Sequence, residues 1–575
     1  MNMENPVASD KKMNRRKMLK LAALSIPAMG ITSSLIQASQ QKPGIATLPK
    51  NVIIFLTDQE RATQHFPPNW EVKNLPGLTR LKRNGLTFKN AFTNACMCSP
   101  ARTTFMSGYF PAQHGVKYTV EQNMPLSTYP DQFSMPFPPG TADLTPQPNS
   151  TSIDGDGNGD VSGANITLPN IATVATACGF NAVYKGKWHC AKPLNGNGTW
   201  VPEDLSQYGF SRWNPQDAGA NQNVSEAGGA PSASTSTQNH DTRFMFDDGN
   251  MEDGKEGVLA YLKSQATSQQ PFFLFISLVN PHDVLAYPNN MAGFGYDDAW
   301  LKGDIRPPAT VNEDLSTKPT SQKQYLDLTN FGMGGKLTDD QQIEYLNFYG
   351  NLMKLQDGYL RNVLETLDSL GLTDDTLIIR TADHGEMGMA HGGMIQKNFN
   401  FYEEAAKVPL VYSNPKMFPN PRVSNALVSH VDFLPTLAGL YKAPSGDCSD
   451  WAGVDYSSLV LDRRAEPVQD YIVFTYDDYR SGQASNTYPR PLNHIVGIRE
   501  ARWKLAEYYD PTGASPSQYE MYDLKSDPLE TKNLVNHLKN SHNAFQFDRL
   551  QLKLDYVKYT RLEPLEGGYY LTSFY

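Results

Sequence analysis

The chain has 575 residues, 39% hydrophobic, 11% aromatic and 19% charged: ample length to bury a core and the composition of a globular enzyme. That length leads to an expectation of one large domain with a smaller one attached. A net charge of -10 supplies no global basic field, which disfavours nucleic acid as a partner, and no apolar run reaches the ~20 residues of a membrane-spanning helix.

Taken in chain order, Arg15-Arg16-Lys17-Met18-Leu19-Lys20 precedes an apolar stretch from Leu21 to Ile36 diluted with Ala, Gly and Ser. Paired arginines before a moderately hydrophobic core resemble a bacterial twin-arginine signal, so residues 1–41 are read as an address for the export machinery and not as fold. An ordinary secretory signal is the alternative. Both readings place the mature protein in the periplasm or outside the cell.

After a linker near Lys42 to Lys50, four short apolar runs each end in polar residues. Val52 to Leu56 leads to Asp58, Ala182 to Tyr184 to Lys187 and His189, Phe272 to Val279 to His282, and Leu377 to Ile379 to Asp383 and His384. Such runs are the signature of buried parallel strands, whose carboxyl ends are where open α/β sheets bind ligands. Leu346, Met353, Leu360, Leu364 and Leu367 recur at helical spacing and predict a helix over 341–370. Residues 42–440 are therefore expected to form an α/β domain, a large mixed, mostly parallel sheet sandwiched by helices. Past about Leu440, strand-like runs at Tyr471 to Thr475, Ile495 to Arg499 and Trp503 to Tyr508, then a helical stretch Phe545 to Tyr556, predict a smaller C-terminal α+β domain with an antiparallel sheet over 441–575. Tyr129 to Gly163 and Pro215 to Gln238 read as surface insertions rimming a pocket. Within the first, Asp154 to Asp160 matches the opening of a calcium loop, but Asn165 stands where a bidentate acid belongs, so it is read as a flexible loop.

The five cysteines, Cys96, Cys98, Cys178, Cys190 and Cys448, are too few for a disulfide framework and lack the paired spacing of a zinc site. Cys98-Ser99-Pro100-Ala101-Arg102 continues as Thr103-Thr104-Phe105-Met106-Ser107-Gly108. Pro100 suits the first turn of a helix and Gly108 its end. Cys98 is thereby placed at a helix N-terminus that favours an anion, with Arg102 one turn on adding positive charge. Asp58-Gln59 and Asp383-His384-Gly385-Glu386 add two carboxylates, an amide and an imidazole, a mostly oxygen-lined set suited to a hard divalent ion.

The Cys98 segment resembles the C-x-P-S/A-R pattern of type I sulfatases, members of the alkaline phosphatase-like superfamily, and the resemblance runs from about residue 50 to about residue 535. It implies that a maturation enzyme converts Cys98 to formylglycine, whose hydrate is the nucleophile in hydrolysis of a sulfate ester to alcohol and inorganic sulfate. The implied substrate is a sulfated small molecule or carbohydrate. The implied ligands of one divalent metal are Asp58, Gln59, Cys98, Asp383 and His384; calcium is expected, with magnesium or manganese open because Gln59 replaces the family's usual second Asp. Gly186-Lys187-Trp188-His189 resembles the family's G-K-W-H, in which Lys187 would bind sulfate and His189 serve as base. Strand alternation would put both on one side, with Trp188 in the packing. Pro281-His282 resembles the element that hydrogen bonds or protonates the leaving oxygen, and Lys397 the lysine that clamps sulfate opposite Lys187. Met521-Tyr-Asp-Leu, with Asp527-Pro-Leu-Glu530, matches a C-terminal trait read as structural. The alternative is a phosphonate monoester or phosphate diester hydrolase of the same superfamily, since such relatives carry Gln where Gln59 stands; Lys187 with His189 favours sulfate.

Overall fold

Apolar runs bounded by polar turns become the strands of the computed structural model, which describes residues 48–563 and 565 apart from 63–64, 121–133, 140–166, 194–198, 221–222, 233–238, 445–450 and 480–487. The export signal, the Asp154–Asp160 loop and Cys448 lie outside the described residues. The described residues belong to one compact unit that contains two sheets.

The first sheet comprises β1 (Asn51–Asp58), β2 (Gly85–Phe92), β3 (Asn181–Gly186), β4 (Phe272–Pro281), β5 (Thr376–Ala382), β6 (Leu410–Ser413) and β7 (Arg422–Ser429), in the order β3-β4-β1-β5-β6-β2-β7. β1 is central, parallel to β4 and β5, and β3 extends β4 in parallel. β6 runs antiparallel to both β5 and β2, while β7 is parallel to β2. Every residue of β1 and β4 is buried, as a sheet covered on both faces requires. Val52, Ile54 and Leu56 pack on one face with Phe105 of helix α1 (Cys98–Ser107). Ile53 and Phe55 pack on the other with Tyr345, Leu346 and Met353 of helix α2 (Asp339–Ser369). α2 matches the predicted helix closely, because the Thr338 side chain accepts from Gln341 N and starts it.

β8 (Tyr471–Tyr476), β9 (His494–Glu500), β10 (Trp503–Tyr509) and β11 (Gln518–Asp523) make the antiparallel second sheet, which helix α3 (Ser541–Thr560) covers through Leu550, Leu554 and Val557. Among the described residues no helix is long and apolar enough to cross a membrane.

One expectation is corrected. Within Pro215 to Gln238, read as a surface insertion, the described stretches Asp217 to Ala220 and Glu226 to Ala230 are buried. Their small side chains let this segment press against the ends of β3 and β4: a Cβ at Gly219 would lie 2.9 Å from Lys187 Nζ, and one at Gly228 2.5 Å from Asn280 Nδ2.

Candidate active site

All four anticipated strand ends converge at one place. α1 begins at Cys98 and stops at Gly108 (φ 74°), and all ten of its residues are buried. Its first thiol, Cys98 Sγ, lies 3.2 Å from His384 Nε2 and 3.7 Å from Asp58 Oδ1. Ligand atoms of Asp58, Cys98, Asp383 and His384 all fall within 4.8 Å of one another, a cluster able to hold a metal ion. Arg102, one turn further on, donates from Nε to Asp383 (2.9 Å), from Nη2 to Asp58 (3.0 Å), and from Nη1 to Ser277 Oγ (2.8 Å) and Lys187 O (3.1 Å).

Lys187 and His189 reach the site by a different route from the one expected. β3 ends at Gly186, whose φ of 110° turns the chain out of the sheet, so strand alternation does not set their directions. Lys187 Nζ donates to Asp58 Oδ2 (2.5 Å) and Gly219 O (2.6 Å). His189 points Nε2 at Val120 O, 3.0 Å away, and Trp188 is fully buried as predicted. The carboxylate of Asp217 clamps this turn by accepting from the backbone N–H groups of Trp188 and His189, both at 2.8 Å. His282 follows β4 directly and is buried. Lys397 Nζ donates to Gln59 Oε1 at 2.6 Å; that oxygen, the expected fifth metal donor, retains a second lone pair.

Burial pushes the Asp58 carboxyl up, but Lys187 and Arg102, both in contact with it, hold it well below the usual range. Burial and the Asp58 charge push Asp383 up to about 7 against Arg102 and Lys187. Two buried acids thus share Arg102 and Lys187, and Asp383, more burdened by burial and by its neighbour's charge, sits higher than Asp58. Burial and Lys397 keep the His384 imidazole well below its ordinary value, hence neutral. Its Nδ1–H donates to Gly385 O (3.1 Å), which leaves the Nε2 lone pair facing the acids, the tautomer a metal ligand needs. The donor set therefore fits a divalent cation. Burial, then Asp58, push the Cys98 thiol up to about 12, so it carries no thiolate at neutral pH. Burial and Lys187 also hold His189 and His282 neutral.

Three contributors escaped the sequence reading. Asp217 and Gly219 sat in a stretch taken for an insertion, and Ser277 in an apolar run; none bears a motif.

The sulfatase family model matches residues 50–443, about two thirds of the chain. The chain belongs to the sulfatase family. A second model, N-sulphoglucosamine sulphohydrolase, C-terminal, matches residues 390–557. A Delta 4,5-hexuronate-2-O-sulfatase of Bacteroides thetaiotaomicron is 26% identical over 50% of this chain and 56% of its own length. The choline-sulfatase of Rhizobium meliloti is 24% identical over 85% of this chain and 82% of its own. Among solved structures, a 2-O GAG sulfatase has a TM-score of 0.60 at 19% identity, covering 89% of this chain and 92% of its own. The phosphonate monoester hydrolase of Agrobacterium radiobacter has 0.57 at 19%, covering 88% and 95%. By class this sulfatase is a sulfuric ester hydrolase, on the alkaline phosphatase-like fold.

Proposed function

We propose that this sulfatase hydrolyses the sulfate ester of a small molecule or carbohydrate to alcohol and inorganic sulfate, with residue 98 as formylglycine and one divalent metal held by Asp58, Gln59, Asp383, His384 and residue 98. The observation that carries this reading is Cys98 itself: it faces two acids and a neutral imidazole from a helix N-terminus, yet as a thiol it is pushed up to about 12 and is a poor nucleophile. Formylglycine supplies there a gem-diol, one hydroxyl to attack sulfur and a second to expel sulfate as the aldehyde re-forms. A metal held by these residues would supply Lewis acidity toward the sulfate and residue 98. Calcium suits the hard oxygen donors, with magnesium or manganese the alternatives.

The chain's own groups do the rest. Lys187 and Lys397 flank the anion with positive charge, and the α1 N-terminus adds its dipole. Neutral His189 takes a proton from residue 98, and His282 donates to the leaving oxygen. Arg102 orients Asp58 and Asp383 by donating to both. The Arg15-Arg16 segment would carry the folded enzyme through the twin-arginine machinery to the periplasm, after a formylglycine-generating enzyme has acted.

Gln59 favours one second reading, a phosphonate monoester hydrolase. Protein co-produced with a formylglycine-generating enzyme should hydrolyse an aryl sulfate faster than an aryl phosphonate monoester. Cys98→Ala and chelation should each lower the sulfate rate by at least on the order of a thousandfold. Faster phosphonate turnover promotes the second reading, and full activity in Cys98→Ala sinks both.

A further inference from the structure

Glu386 stands three residues beyond Asp383 and is fully buried. Its two oxygens divide their work. Oε1 accepts from Tyr345 O–H (2.7 Å), Gln396 N–H (2.8 Å) and Gly388 N–H (3.1 Å). Oε2 accepts from Gln59 Nε2 at 2.5 Å. A carboxylate only accepts, so the Gln59 amide has one possible orientation: NH2 toward Glu386, carbonyl toward Lys397. The backbone repeats the constraint, because Gln59 sits at φ 65° with its N–H donating to Asp383 Oδ1 (3.0 Å) and its C=O accepting from Tyr349 O–H (2.8 Å).

The consequence falls on Lys397. Its ammonium is held by a neutral amide oxygen at 2.6 Å, not by a carboxylate. A carboxylate at position 59 would hold the lysine equally well but cancel its charge. Here the negative charge is displaced one residue back, to Glu386, where four donors occupy it.

We propose that Glu386 is a positioning residue that locks the Gln59 amide, and that the Gln59–Glu386 pair acts as one unit which places Lys397 while leaving its charge free for the substrate anion. The proposal rests on the sulfate-ester reading for what Lys397 binds, but the lock itself does not depend on it.

Two isosteric changes and their combination test this. In Glu386→Gln, the three bonds at Oε1 can persist only if the new NH2 faces the Gln59 NH2. The Gln59 amide must then flip and turn its own donors on Lys397. In Gln59→Glu, two carboxylates meet at the distance of the present hydrogen bond. In the double variant, the new amide at position 386 donates to the new carboxylate at position 59, and every bond is regained with the charge moved from one position to the other. The matured enzyme with aryl sulfate as probe should show KM raised about tenfold in Glu386→Gln, the scale expected when a buried donor loses its acceptor. Both single variants should melt several degrees lower, and the double should recover most of that loss while its KM stays raised, because Lys397 is now neutralised. An unchanged KM in Glu386→Gln overturns the proposal, and so does a double whose melting loss equals the sum of the singles. Melting needs no substrate: a protein inactive on aryl sulfate but with coupled melting refutes the functional reading alone, and uncoupled melting refutes the lock.

Discussion

Arg102 shows how much one side chain carries. It is buried against two acids, a serine hydroxyl and a backbone carbonyl, and although burial lowers its affinity for a proton, Asp383 and Asp58 outweigh that and raise it. The guanidinium fork reaches both acids at once, which a lysine's single ammonium cannot do in the same geometry. Arg102→Met should lose about 3–5 kcal/mol in chemical denaturation, because buried Asp383 would lose its cation and buried Asp58 would keep only Lys187. A loss under about 1 kcal/mol would show that the acids find other partners. Cys98 and Arg102 were legible in the sequence because four residues along a helix bring two side chains to one face. The Gln59–Glu386 contact was not, since 327 residues separate its partners and only the sheet brings the ends of β1 and β5 together.

At the scale of elements, the turn after β3 decides whether Lys187 and His189 reach the site. A Cβ at Gly186 would lie 1.9 Å from Ser277 O, and its φ of 110° is one that only glycine adopts readily. Gly186→Ala should therefore cost at least about 3 kcal/mol, seen as lost soluble yield and a lower melting temperature. A variant that folds normally would mean the β3–β4 spacing can give. Asp217 stabilises the same turn through backbone N–H groups that any sequence offers, so no pattern announced it. Strands were legible where the apolar run was continuous, as in β1, β4 and β5. β2 was missed because Lys89 is exposed and its pairing with β7 shifts register between Phe88 and Asn90, which breaks the alternation. β6 has only four residues, too few for any period to show.

Across the whole molecule, a buried ionic network ties the second sheet to the loop that follows Lys397. Lys504 Nζ donates to Phe401 O and pairs with Glu530 (both 2.6 Å), while Glu530 Oε2 accepts from Glu403 N (2.8 Å) and Arg499 pairs with Glu403 (3.2 Å). Burial pushes Glu403 up, but Arg499 and Lys504 bring it down to about 2. The C-terminal motif that includes Glu530, read from sequence as structural, thus contacts the segment that follows Lys397. Nearby, His391 stacks on Tyr402 at 3.6 Å and pairs with Glu313 (2.7 Å) and Glu404 (3.6 Å), with Lys318 facing Glu313 at 3.0 Å and Arg61 facing Glu404 at 4.0 Å. Burial pushes this imidazole down, yet Glu313 and Glu404 outweigh it and raise it to about 9. Its folded value exceeds the unfolded one, so its stabilisation is complete below about pH 6.5 and is lost as pH rises through about 9. Unfolding free energy should fall by on the order of 3 kcal/mol over that span, and more shallowly in His391→Gln, where the titrating group is gone and all others are retained. Parallel pH profiles for the two proteins would refute the assignment.

By itself the sequence offered the Cys98 helix start, the two acids and the strands that end in them as local patterns of residue types, and the two lysines through the family resemblance. The tertiary structure decided what holds those groups in place. Asp217 behind the β3 turn, Glu386 behind Gln59, and the Glu403–Lys504–Glu530 network act through contacts between segments remote in the chain, and many of them end on backbone atoms. Such contacts have no sequence signature, because a peptide N–H or C=O is the same whichever side chain it carries.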